Sequence, residues 1–411
     1  MPRSPAGHAS DQEIIMAAQS FTSFVFNSPT KLLFGVGKLG ELHNEKLPGK
    51  KALLLTSRGR SIYRNGSFDK TVEELRKAGA EFLHSPSVVE NPGKEDCEAA
   101  GRLAHEEGCD FIVALGGGAV LDSSVAVSLM AANPEHDLWD FVFGGTGKGQ
   151  IAPNDPLPIV TIATSSGTGS EMNEWGVISK TDTHEKIGLG DVRCKPRIAV
   201  VDPAYMTTVP PEYTAYQGFD ALFHNTEVMM STSLSIMSEA IALSAIANIA
   251  RYLPIAVRDG TNLEAREHVA YASTMAGITM QLTSTTAQHS MEHAMSAYHR
   301  NLQHGAGLIM ISYEFAKFFI DRHACDDRFI KMARVMGYPE SADPRDFLKA
   351  LKALQEACGV SDLRMSGYGF TKDECMTLAR CARDTMGCLY PANPCEMTDE
   401  DVAGIFERSF R

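Results

Sequence analysis

The sequence predicts an α/β N-terminal half built on a parallel sheet, followed by an all-α C-terminal half. Three observations carry that expectation. Short β-rich runs alternate with helical patterns through the first half, and such alternation marks βαβ units. Two of the runs end in glycine-rich turns, and beyond Pro210 and Pro211 few β-branched runs remain.

The elements follow in order. Lys51–Ser57 (KALLLTS) has the length and apolarity of a strand, and KTVEELRKAG after it has helical period with a glycine stop. EFLHSPSVV reads as a second strand and GRLAHEEG as helix. DFIVALGGG is a strand running into Gly116, Gly117 and Gly118, and PLPIVTIATSSGTGSE and PRIAVVDP give two further strand-and-turn signals. The boundary falls near residue 209. Residues 1–209 form the α/β part, with 1–20 a polar leader, and 210–411 the helical part. There, Met237, Ile241, Ala245, Ile249 and Leu253 make a helical stripe.

Bulk properties narrow the class. A chain of 411 residues can bury two cores, and a formal charge of -13 counts against nucleic acid or an anionic membrane surface as partner. No apolar run reaches the roughly 20 residues of a membrane span. Nine cysteines without a Cys-x-x-Cys pair read as buried free thiols, hence a cytoplasmic protein.

The glycine turns suggest a ligand. Glycines let a backbone approach a phosphate, and the helix that follows offers free N–H groups at its N-terminus. Gly116–Gly118 therefore suit a pyrophosphate, although a tight ligand-free turn has the same look and G-x-G-x-x-G is missing. Thr164–Glu171 (TSSGTGSE) adds hydroxyls after a second strand. Two such turns at strand C-terminal ends define a crevice suited to a nucleotide.

The helical half carries a metal pattern. Asp220 and His224 stand four residues apart, as do His289 and His293, and His304 precedes Gly305. Four-residue spacing puts side chains on one helix face. Asp220, His224, His289 and His304 together make three imidazoles and one carboxylate, a set suited to Fe²⁺ or Zn²⁺ rather than Mg²⁺ or Ca²⁺. Taken singly, Asp220–His224 is a common surface pair and His293 a common core histidine. Glu227 is a solvated carboxylate or a support for a ligand, and His299 reads as a loop residue.

FGVGKLGEL, VENP, GGGAVLD, TSSGTGSEMNEWGVIS, GFDALFHNTE, HSMEHAMSAYHRNLQHG and PANP together resemble the iron-containing (group III) alcohol dehydrogenases, in their butanol-dehydrogenase-like branch. The resemblance implies an N-terminal dinucleotide-binding α/β domain and a C-terminal all-helical metal-binding domain. It makes Asp220, His224, His289 and His304 the metal ligands and places His293 beside the metal as the catalytic histidine. It assigns Gly116, Gly117, Gly118, Asp122, Thr164, Ser165, Thr168, Asn91 and Lys186 to the cofactor, with Ser57 and Arg58 facing the adenosine ribose. Trp175 would narrow the substrate pocket.

Two departures stand out. Val125 replaces a lysine frequent in the family. Ser57, followed by Arg58 and Arg60, replaces an aspartate frequent in NAD-preferring members, which leans the choice towards NADP over NAD because guanidinium groups pair a 2′-phosphate. The activity implied is hydride transfer between a nicotinamide and a small primary alcohol or aldehyde in a homo-oligomer, dimer or larger. The rivals are a dehydroquinate-synthase-like lyase and a non-catalytic metal-binding protein. Arg300 is the only arginine or lysine in the histidine segment, too little to grip a phosphorylated substrate there.

Overall fold

The computed structural model describes residues 21–410, so the leader expected over residues 1–20 lies outside the described residues. Strands β1 (Lys31–Phe34), β2 (Lys51–Ser57), β3 (Glu81–Val88), β4 (Phe111–Gly116) and β5 (Ile159–Ala163) are followed by a hairpin, β6 (Trp175–Lys180) and β7 (Glu185–Gly190), then β8 (Ile198–Val201). Helices α1 (Ser67–Lys77), α2 (Lys94–Glu106) and α3 (Gly118–Ala132) lie between strands. Every pairing in the six-stranded sheet, ordered β1-β8-β5-β4-β2-β3, is parallel.

Continuous apolar strands follow from burial on both faces. Leu53 and Leu55 pack in one core, while Ala52 and Leu54 point into the other. The chain leaves β2 for β3 on one side and returns to β4 on the other. That reversal opens a crevice at the C-terminal ends of β2 and β4. Sequence periodicity did not indicate β1, too short to show a period, or the antiparallel β6–β7 hairpin, whose turn holds His184 at φ 52.

Beyond β8 the described chain is helical. It runs through α4 (Pro211–Met230), α5 (Ile236–Arg258), α6 (Leu263–Thr279), α7 (Ala287–Tyr298), α8 (His304–Ile320), α9 (Asp326–Val335), α10 (Arg345–Ala357), α11 (Cys375–Met386) and α12 (Asp399–Ser409). The last strand and the first long helix fall on either side of residue 209. Phe219, Phe223, Ile246, Ile249, Phe315 and Phe319 anchor one helical core.

Three sequence expectations are corrected. The buried stripe of α5 is Ala242, Ala245, Ile246, Ile249, Leu253 and Ala256, whereas Met237 and Ile241 are only half-buried. The packed face is thus rotated, because α4 and α6 flank the helix. The same helix is long and apolar enough, by length and composition, to cross a membrane. Ala242, Ala245, Ile246, Ile249 and Ala256 of this helix are buried in helix packing. Of the nine free thiols, Cys388 is exposed and Cys381 and Cys395 are half-buried, since they lie on the outer turns around α11.

Several contacts dock the halves. Gly169, at φ 65, lies against Gly277 of α6 so closely that a Cβ on either would strike the other's backbone. Thr274 Oγ1 of α6 donates to the buried Glu171 carboxylate at 2.8 Å. Buried Arg266 donates to the Val209 and Gly260 carbonyls and to Thr214 Oγ1, fixing the chain where it passes between halves.

A separate ion cluster ties α1 to the turn that follows β1. Burial alone would raise the Glu74 carboxyl, but His43, Lys70 and Lys77 bring it down to about 2. A carboxyl lowered on folding stabilises above its unfolded value and loses that contribution as pH falls towards the folded one. Glu74→Gln is therefore expected to cost about 1–2 kcal/mol at pH 7, after discounting for the partly exposed lysines, and little near pH 2. Urea midpoints measured across that range check it.

Candidate metal and nucleotide site

Helix α4 carries Asp220 and His224 on one face, and α7 carries His289 and His293 on another. His304 opens α8, where a Cβ on Gly305 would strike the Tyr216 carbonyl of α4. Only glycine permits that approach, and it brings His304 onto the α4 residues.

The three imidazoles converge on one carboxylate oxygen. His224 Nδ1 lies 3.3 Å from Asp220 Oδ1, and His289 Nε2 and His304 Nε2 each lie 3.5 Å from it. Donor atoms of Asp220, His289 and His304 fall within 4.8 Å of one another. A tetrahedral site with bonds of about 2.1 Å has edges of about 3.4 Å. Asp220 Oδ1, His224 Nδ1 and His289 Nε2 are buried without a hydrogen-bond partner. Buried polar atoms are normally satisfied, so this set fits a bound transition metal.

Burial opposes charge throughout the cluster. It drives His224 down to about 3. Burial would lower His289 too, but the Glu227 and Asp220 carboxylates raise it to about 10. Burial would also raise Asp220, yet the neighbouring His224 and His304 hold it well below the usual carboxylate range.

The far sides of the His289 and His304 rings are also held. His289 Nδ1 meets Glu227 Oε1, and Glu227 Oε2 accepts from Thr286 N at 2.6 Å and Thr286 Oγ1 at 2.8 Å. Glu227 is fully buried, so the solvated reading is corrected: the packing of α4 against the start of α7 encloses it. His304 Nδ1 meets Glu292 Oε2. Glu292 escaped sequence reasoning, because nothing in HSMEH shows that its carboxylate faces a histidine from the next helix. Buried His293 stands beside His289 and His304, with ring centroids 6.4 and 5.6 Å away. His299 caps α7 and meets Glu374.

On the nucleotide side, the turns after β4 and β5 abut. Cβ atoms on Gly117 and Gly118 would meet Ser165 Oγ at 3.1 Å and Thr168 Cγ2 at 2.5 Å. The glycines thus serve turn-to-turn packing, and α3 starts there with its N–H groups at the crevice. Thr164 N donates to Gly116 O. A Cβ on Gly167 would lie 2.9 Å from Asp220 Oδ2, so the second turn rests directly on the histidine–carboxylate cluster.

Other expected cofactor residues are placed as follows. Ser57 ends β2, and Arg58 donates to the Ser87 carbonyl and to Asp96 at 3.0 Å each. Asn91, at φ 50, donates to the Arg300 carbonyl across the crevice. Burial raises the Asp122 carboxyl to about 6, while Ser170 Oγ and Val177 N donate to it. Lys186 Nζ lies 3.3 Å from Glu292 Oε2. Trp175 is nearly half exposed and its indole packs over Gly190.

A doubly covered parallel sheet whose loop rests on a buried histidine–carboxylate cluster in a helical body defines the class: two-domain proteins with a nucleotide-type crevice and a metal-type site in contact. Residues 29–203 match the model of the iron-containing alcohol dehydrogenases, and residues 214–410 that of the C-terminal domain of the same family. The chain belongs to the iron-containing alcohol dehydrogenase family.

Its relatives agree. The chain is 30% identical over 403 residues to NADH-dependent butanol dehydrogenase A of Clostridium acetobutylicum, covering 94% of this chain and all of that one. It is 33% identical over 404 residues to the 1,3-propanediol dehydrogenase of Klebsiella pneumoniae, covering 95% and 100%. In structure it superimposes on an archaeal halo-thermophilic alcohol dehydrogenase from a Red Sea brine pool with a TM-score of 0.89, at 28% identity over 95% and 99% of the two chains.

Proposed function

We propose that this protein is a metal-dependent, nicotinamide-linked alcohol dehydrogenase and aldehyde reductase acting on small primary alcohols and aldehydes. One observation carries the reading: the turn that would hold the cofactor lies against the carboxylate of the metal cluster. Cofactor and metal would therefore meet one small substrate. Asp220, His224, His289 and His304 would hold Fe²⁺, with Zn²⁺ as the alternative, since this donor set suits either. A metal held there supplies Lewis acidity to the substrate oxygen, and the nicotinamide supplies hydride.

The chain's own residues do the rest. The N–H groups at the start of α3 would meet the pyrophosphate, and the hydroxyls of Thr164, Ser165 and Thr168 would border it from the adjoining turn. His293, buried beside the cluster with Nδ1 unpartnered, is placed to pass a proton between substrate oxygen and the cleft.

For the nucleotide we propose NADH over NADPH, against the lean that Ser57 and Arg58 gave. Arg58 is held by Asp96 and the Ser87 carbonyl, and the butanol dehydrogenase relatives carry NADH in their names. Asp96→Ala frees the guanidinium and is expected to improve NADPH affinity relative to NADH about fivefold, the effect of one partly exposed charge contact. Fluorescence titration of both cofactors decides it.

The activity is tested by reconstituting metal-free protein anaerobically with Fe²⁺ or Zn²⁺ and following NADH absorbance with short aldehydes. Metal-dependent oxidation is expected. Silence from protein shown to hold both metal and NADH would overturn the reading.

A further inference from the structure

Glu292 is a fully buried charge that the catalytic reading leaves without a task. Its side chain has no exposure, and three groups reach it: His304 Nδ1 and Lys186 Nζ at Oε2, and Ser296 Oγ at Oε1. His304 contributes its other nitrogen to the metal cluster. Lys186, only 6% exposed, belongs to the β6–β7 hairpin of the nucleotide half. One carboxylate thus touches a metal-cluster histidine on one side and the opposite domain on the other.

The chemistry of imidazole gives this contact a consequence. A neutral ring has one N–H and one lone pair, and the partner of the N–H decides which nitrogen offers the pair. A carboxylate at Nδ1 fixes the proton there and leaves the lone pair of Nε2 facing Asp220. It also makes Nε2 a stronger donor and locks the ring plane. Lys186 offsets the charge of the carboxylate, which would otherwise be costly at full burial. Ser296, one helical turn along α7, occupies the second oxygen, so Glu292 cannot rotate away without losing a bond.

We infer that Glu292 is a positioning residue for the metal ligand His304, and that Lys186 of the nucleotide half completes this support across the domain junction. The inference rests on the metal reading given above. It gives Lys186 a task on the metal side of the junction, and it makes metal retention depend on a residue outside the proposed set of four ligands.

The test uses the full-length protein stripped of metal. Zn²⁺ affinity is measured by competition with a chromophoric chelator, and the visible spectrum of the Co²⁺-loaded protein reports the donor set. Glu292→Ala is expected to weaken Zn²⁺ binding by about 10–100-fold and to alter the Co²⁺ bands, the usual loss when a ligand's outer partner is removed. Glu292→Gln keeps a carbonyl for the Nδ1 proton and is expected to recover most of that affinity and the wild-type Co²⁺ spectrum. NADH binding, measured alongside, should stay within about twofold in both variants, showing the nucleotide half intact.

Zn²⁺ affinity within twofold of wild type in Glu292→Ala overturns the inference while leaving the metal site standing. Equal losses in the alanine and glutamine variants also overturn it, because the bond to His304 would then not be the cause. Failure of the wild-type protein itself to bind Zn²⁺ or Co²⁺ overturns the metal reading, and the inference with it.

Discussion

Replacing His289 with alanine is expected to remove bound metal and to lower turnover at least about a thousandfold, with NADH affinity left within about twofold. The size follows from the several kcal/mol that a Lewis acid contributes at the reacting oxygen. His289 is held at both ring nitrogens. Its Nε2 faces Asp220 Oδ1, its Nδ1 meets Glu227, and Glu227 is held by two bonds from Thr286. The nucleotide turns lie on the other half and share no hydrogen bond with His289, which is why cofactor binding survives. Metal analysis, steady-state kinetics and NADH fluorescence on one preparation check all three statements. Turnover retained in metal-free His289→Ala would show that the cluster is structural.

Gly277→Val is expected to have the largest effect on stability. The added side chain would enter the backbone of Gly169, and the next atoms in its path belong to the Met172 side chain. Backbone cannot rotate aside as a flexible side chain does, so the domains must separate or α6 must shift. Overpacking of this kind costs about 3 kcal/mol or more. Gly169 cannot compensate, because its positive φ already commits it. Loss of the junction would also part Asp220 from the turn at Gly167, so NADH-dependent activity should fall with stability. Urea unfolding followed by far-ultraviolet circular dichroism is expected to show a lower midpoint, or two transitions where the wild type has one. A midpoint equal to the wild type would mean the junction tolerates the separation.

Parts of the site were legible in the sequence for a physical reason. A strand buried on both faces must be apolar throughout, so Lys51–Ser57 and Phe111–Gly116 announce themselves. A helix brings residues four apart together, so Asp220 with His224, and His289 with His293, are visible as pairs. The positions of the glycine turns were equally plain, but not all of their purpose. Gly117 and Gly118 face Ser165 and Thr168, and Gly169 faces Gly277. Close packing between segments asks for the same residue as close approach to a phosphate.

The sequence by itself determined the two-part architecture, the crevice-forming turns and the residue types of the histidine–carboxylate cluster, because each of these rests on local periodicity or short spacing. Tertiary structure decided the rest. It brought Glu227 to His289 across 62 residues, Glu292 to His304 across 12, and Lys186 to Glu292 across 106. It tied Arg58 to Asp96, a partner that the sequence did not reveal, and it rotated the buried stripe of α5. These pairings depend on which helix faces which strand, and that is settled only when the two cores pack against each other.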